Sequence, residues 1–136
     1  MKTTLKFKAK YGGIDYITIP REDIMDLCMG TKDLCFTILQ VWLTYLHHHC
    51  MELGKSDVYG FLDPYLIHSE NDQVSVQTFI QNKMHQDQKD CYLAPYLSNH
   101  HWQLIIINPK KHEVVLLCSM GKTKSLDKSI TRMVEL

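Results

Sequence analysis

The stretch HWQLIIINPKKHEVVLLC, residues 101 to 118, constrains the fold more than any other part of the chain. Leu104 through Ile107 is an unbroken apolar run, which suits a strand covered on both faces. Glu113 to Cys118 reads as a second strand, and the polar PKKH between them as a reversal. If PKKH is a four-residue connection, Asn108 lies opposite Glu113 and, counting back, Gln103 lies opposite Cys118. Alternate residues of a strand share a face, so His101 and Cys118 then sit diagonally on one side of the sheet, within side-chain reach. A connection one residue longer or shorter breaks that parity.

The rest of the chain supplies partners for this hairpin. CYLAPYL, residues 91 to 97, reads as a strand whose Pro95 argues for a strand end or an edge. Leu5, Phe7, Ala9 and Tyr11 alternate with lysines, and Gly12-Gly13 and IDYITIP follow, which together predict a β-hairpin over residues 1–20. REDIMDLCMG has early acids and a terminal Gly30, the pattern of a short helix. From Asp33 to Leu53 the spacing turns helical, with Leu34, Ile38, Val41, Trp42, Tyr45, Leu46, His49 and Leu53 on one broad face expected against the core. Thr37, Gln40, Thr44, His47 and His48 fall on the other, and Gly54 stops the helix. Residues 56–72 read as loop, and 76–86 as a second helix with Phe79, Ile80 and Met84 as its apolar face. Leu126, Ile130, Met133 and Val134 give the last segment helical spacing as well. The expectation is an α+β fold in one structural domain: an N-terminal hairpin at 1–20 and a body over 21–136.

At 136 residues the chain is long enough to bury about two thirds of its unfolded surface. Fifteen basic and fifteen acidic residues cancel, leaving no global field to hold nucleic acid or an anionic membrane. No apolar run reaches signal-peptide or membrane-spanning length, so the reading is an intracellular, soluble chain without a membrane partner. Five cysteines, an odd count without a CxxC pair, suit the reduced thiols of the cytoplasm or nucleus.

Two clusters could carry chemistry. HHHC, residues 47 to 50, has the donors for zinc. On a helix, however, His47 and His48 point to the polar arc while His49 and Cys50 lie on the apolar one, and no second pair supplies the missing ligands. The reading is therefore no metal and no cofactor, with two solvated histidines and His49 partly buried. His68, His85 and His112 fall in a loop, a helix end and a turn, as surface residues do. The stronger candidate is His101. A histidine at one strand's start, held by a group at the end of the next, is how an imidazole is oriented in a nucleophilic triad. The alternative is a sheet-edge histidine that caps the core beside Trp102.

YLAPYLSNHHWQLIIINPKKHEVVLLCSM resembles the segment of the ubiquitin-like-protein-specific cysteine peptidases, which process SUMO and its relatives, that runs apolar strand, His-Trp, apolar strand, turn, second strand, Asp-Ser-Leu. The likeness is greatest to the plant, transposon-associated branch, and FTILQVWLTYL followed by YGFLDP extends it upstream, so that it covers about residue 21 onward. The resemblance implies a partial papain-like α+β fold and a triad in chain order His, Asp, Cys. By position His101 matches the general base, and Trp102 the tryptophan flanking the channel for a modifier's Gly-Gly tail. Cys118 falls where the family has its aspartate, followed by Ser119 and Met120 for Ser-Leu. Implied partners are a SUMO-type modifier or its conjugates.

Three departures set the expected activity. A thiol, with a reference pKa of about 8.5, is mostly neutral at pH 7 and cannot stabilise an imidazolium as a carboxylate does. Losing the triad carboxylate costs a serine protease about ten-thousand-fold. Asp33-Leu34-Cys35 replaces the family's Trp-Leu-Asn. The Gln-x-x-x-x-Cys-Gly segment that carries the nucleophile in the family is not found among the 136 residues. Cys118 as its own nucleophile would come from a sheet, without a helix dipole or a visible oxyanion donor. The expectation is a fragment or degenerate copy of a cysteine peptidase, inactive as this polypeptide. The alternative is a non-catalytic binding module. With no central helix over LIIIN, residues 76–86 or 126–136 must cover it, or an exposed sheet face favours self-association.

Overall fold

The computed structural model describes residues 4–8, 16–30 and 32–118. The described chain is α+β, with ten helices and strands in the order β1 (Thr4–Lys8), β2 (Tyr16–Pro20), α1 (Arg21–Met29), α2 (Phe36–Glu52), β3 (Tyr59–Phe61), α3 (Pro64–Ile67), α4 (Gln73–Asp87), β4 (Cys91–Ser98), β5 (His101–Asn108) and β6 (Glu113–Leu117). The glycine turn of the N-terminal hairpin and the helical spacing at 126–136 fall outside the described residues, as do Ser119 and Met120.

β1 and β2 pair antiparallel, and the larger sheet runs β3-β4-β5-β6, with β3 parallel to β4 and the other pairs antiparallel. β4 alternates along its length: Tyr92, Ala94, Tyr96 and Ser98 are buried, the residues between them half-buried. The register sets Tyr92 opposite Ile107 and Ala94 opposite Ile105, so the buried residues of both strands share one face. Val76 and Ile80 of α4, with Leu62 and Ile67, close over that face and form the main core. The requirement that residues 76–86 or 126–136 cover LIIIN is thus met on this face by α4. Each fully buried side chain of this size contributes roughly 1.5–3 kcal/mol.

Pro95 lies within β4, but on the β3 flank it is locally at an edge, as expected, and hydrogen bonding shows why it is tolerated. Cys91 N donates to Val58 O, while Leu93 O and Leu97 O accept from Leu62 N and Ser69 N on the same flank. Strand alternation turns the Pro95 nitrogen to that flank too, and β3 ends at Phe61, opposite Leu93. No ladder bond is lost there.

The expected loop at 56–72 is corrected, since it holds β3 and the short α3. The strand is three residues long with a central glycine, too short for a periodic signal. Gly60 is needed, because a Cβ there would lie 2.6 Å from the ring of fully buried Tyr92. α3 starts with Pro64 at its first position, capped by the Asp63 carboxylate, which accepts from Tyr65 N.

The buried face of α2 is also corrected. Leu43 is 2% exposed, whereas Tyr45 is 55% exposed and Trp42, His49 and Leu53 are exposed with it. The helix is turned by roughly a third of a revolution from the expected face, at 100° per residue. Two neighbours compete for it. Ile38 and Val41 pack on Ile17 and Ile19 of the hairpin, while Leu43, Leu46 and Cys50 pack on Phe61 and Leu93 of the sheet. Gln40, expected on the polar face, turns inward and donates from Nε2 to Asp63 at 3.0 and 3.2 Å, so the buried carboxylate is fully partnered. α2 begins at Phe36 rather than Asp33, since the Leu34 carbonyl is taken by the Trp102 indole N–H at 2.7 Å.

This packing predicts that Leu43→Ala costs roughly 2–5 kcal/mol in urea unfolding. Tyr45→Ala, which removes stacking on Trp42 and His49 in water, costs about 1 kcal/mol. The opposite order would restore the face that the sequence pattern suggests.

Candidate functional site

The β4–β5 hairpin turns on two residues, Asn99 (φ 49°) and His100 (φ 60°), both left-handed. Such a two-residue turn matches the twist of its strands, and asparagine tolerates the conformation better than histidine does. His100 is thereby spent on the turn. It stays exposed, with Nδ1 3.8 Å from an Asp33 carboxylate oxygen. His101 follows as the first residue of β5, paired with Ser98.

The β5–β6 connection is the four-residue one. Asn108 pairs with Glu113 and Leu104 with Leu117, and residues 109–112 make a 3-10 turn closed by His112 in the left-handed region. With that register His101 Nε2 lies 3.2 Å from Cys118 Sγ. With the ring proton on Nδ1, the thiol donates to Nε2. The pair is open to water, His101 half-buried and Cys118 exposed. Gln103 shares the strand parity of His101, and its Oε1 is buried without a hydrogen-bond partner. Such an orphan acceptor costs about 1–3 kcal/mol. Spacing placed Gln103 opposite Cys118, but nothing in the sequence marked its carbonyl as unpartnered.

Trp102 points to the opposite face. Its indole N–H is held by Leu34 O, and its ring meets Phe36 edge-on at 5.3 Å. Phe36 also touches Tyr65 and His68, so Trp102 anchors the start of α2 to the sheet through an aromatic cluster. Beside it runs an open apolar groove of about 720 Å³, between α2 and the second face of the sheet. Its walls include Leu39, Trp42 and Leu46 on α2 and Pro95, Leu104 and Leu117 on the sheet, and Cys118 reaches its end. Coverage of β5 is accordingly unequal: Ile105 and Ile107 are buried, Leu104 and Ile106 only half-buried. The groove escaped sequence reasoning because Trp42 and Leu46 were expected to pack against the core rather than to line an open surface.

The HHHC run does not converge. His48 and His49 are exposed and face Glu52, at 3.1 and 4.0 Å. His47, not His49, is the half-buried one, with its ring against Phe61. Among the described residues no group of three or more His, Cys, Asp or Glu could hold a metal ion. Nor is any described helix long and apolar enough to cross a membrane. Of the thiols, Cys91 has its pKa pushed up by burial, with Asp90 adding to the effect.

No family model matches the chain, and no curated protein matches it.

His47 supplies a pH dependence. Burial pushes its pKa below the ordinary 6.5, and Lys89, Lys83 and His48 add repulsion of the charged form. The unfolded chain then takes up this proton before the folded chain does, so stability falls as pH drops through about 6.5. Urea unfolding at pH 7.5 and 5.5 is expected to show the folded state weaker at the lower pH. His47→Gln should remove part of that difference, and an unchanged difference would exclude His47 as its source.

Proposed function

We propose that the chain is a degenerate member or fragment of the ubiquitin-like-protein-specific cysteine peptidases, with a partial papain-like fold and the histidine half of that site. The reading rests on the resemblance of residues 92 to 120 and on one observation: His101 meets a thiol 3.2 Å away, at the position where the family has a carboxylate. A thiol in that place orients the ring but does not supply the carboxylate that stabilises the imidazolium in acyl transfer. No cysteine of the chain is followed by glycine, as the family's nucleophile is. The polypeptide therefore engages a SUMO-type modifier or its conjugates, in the cytoplasm or nucleus, without cleaving them.

A second reading, a non-catalytic binding module for a ubiquitin-like modifier or another protein partner, or a self-associating one, is favoured by the apolar groove between Trp42 and Trp102. Aromatic walls of this kind are common binding anchors.

A modifier bearing a fluorogenic C-terminal amide separates these readings. No hydrolysis above buffer is expected, and turnover would overturn the assignment of inactivity. Titration should show binding that Trp102→Ala weakens by about tenfold or more. Because Trp102 also anchors α2, Trp42→Ala on the exposed opposite wall serves as a second variant, expected to weaken binding while leaving the melting temperature within a few degrees. Sedimentation that depends on protein concentration, with no modifier binding, would favour the self-associating module.

A further inference from the structure

We infer that His101 and Cys118 form a thiol–disulfide exchange site for a low-molecular-weight peptide disulfide. The inference does not depend on the peptidase resemblance and needs no second cysteine. All five cysteines are free, and they sit in different settings. Cys28 and Cys118 are both exposed, but Cys118 alone of the two has an imidazole nitrogen at hydrogen-bond distance, 3.2 Å from its sulfur. Cys91 is half-buried, and its thiol is held in the neutral form. Cys35 shares its sulfur with the Thr37 hydroxyl at 3.1 Å. The nucleophile in disulfide exchange is the thiolate, so a thiol with a base in place and open access reacts first.

The step balances within the pair and its substrate. Sγ of Cys118 attacks one sulfur of the disulfide as its proton passes to His101 Nε2. The substrate S–S bond breaks, a new S–S bond joins Cys118 to one half, and the imidazolium returns the proton to the departing thiolate. The Cys118 sulfur is oxidised and the released thiol is the reduced product. The preference for a peptide disulfide comes from Gln103, which shares the strand parity of His101 and whose buried Oε1 has no hydrogen-bond partner, an acceptor that a peptide N–H of the substrate satisfies when it docks beside Cys118. The mixed disulfide remains until an external thiol reverses the reaction.

Alkylation by iodoacetamide at neutral pH, followed peptide by peptide by mass spectrometry, tests the pair against Cys28 as an internal reference. Cys118 is expected to react about tenfold faster than Cys28, a modest general-base contribution for an exposed site. His101→Gln should bring Cys118 down to the Cys28 rate and leave Cys28 unchanged. Oxidised glutathione should load Cys118 first, and Gln103→Leu should slow that loading without changing the iodoacetamide rate. Equal rates at Cys118 and Cys28, or a Cys118 rate indifferent to His101→Gln, would overturn the site. A Gln103→Leu variant that loads glutathione at the original rate would overturn the peptide preference. The electrophile and the disulfide are small molecules, so the outcome is separate from any failure to bind or cleave a modifier.

Discussion

The register between β5 and β6 is the constraint on which the His101–Cys118 pair depends. Leu104 against Leu117 and Asn108 against Glu113 leave one parity, and a slip of a single residue would break the match that sets Cys118 beside His101. That register is held from both ends. The compact turn at 109–112 closes it locally, and Ile105 and Ile107 must face α4 to complete the core, which fixes the side on which every odd-numbered residue of β5 lies. A pair exposed to solvent is thus positioned by residues that are not. The exposed ends of two strands have little packing of their own, and the precision of the pair is borrowed from the buried middle of the sheet.

The second face of the sheet follows a different logic. α2 has to satisfy the hairpin at its N-terminal half and the sheet along its length, and no single stripe of a straight helix can meet both. The solution leaves Trp42 and Tyr45 in water and an apolar groove beside the half-buried Leu104. Trp102 stands at the junction: its indole N–H is committed to Leu34 O, and only its ring is available to line the groove. Any contact made through Trp102 is therefore one of shape and apolar surface, without a free donor.

These two regions explain what could be read from the residues and what could not. The β5–β6 hairpin was legible because period-two parity, a short polar turn and a long apolar run agreed, and the proximity of His101 to Cys118 followed from counting alone. The face of α2 was not legible. Its sequence, FTILQVWLTYLHHHC, is apolar around most of the circumference, so pattern offers several plausible faces and the tertiary neighbours choose. The inward turn of Gln40 depended on Asp63, which lies in a stretch that read as loop. β3 stayed hidden for a related reason, since three residues around a glycine acquire strand character only by pairing with β4. His47 and His49 exchanged roles as a direct result of the rotation of α2.

The thiol at position 118 changes what the imidazole can do as well as how well it does it. A carboxylate beside a histidine is already charged at neutral pH, and it stabilises the imidazolium that appears when the ring takes a proton from a third group. A thiol is itself a proton source, so the ring's nearest proton belongs to Cys118, and the product of transfer is an ion pair between the two partners rather than a charged base poised for another nucleophile. Nε2 is committed to sulfur, and a base that serves another nucleophile through Nδ1 draws its stabilisation from the group on Nε2, where a thiol supplies less than a carboxylate does. The geometry that places a thiol rather than a carboxylate on Nε2 is the same geometry that makes Cys118 the thiol best placed to react with a soft electrophile or a disulfide.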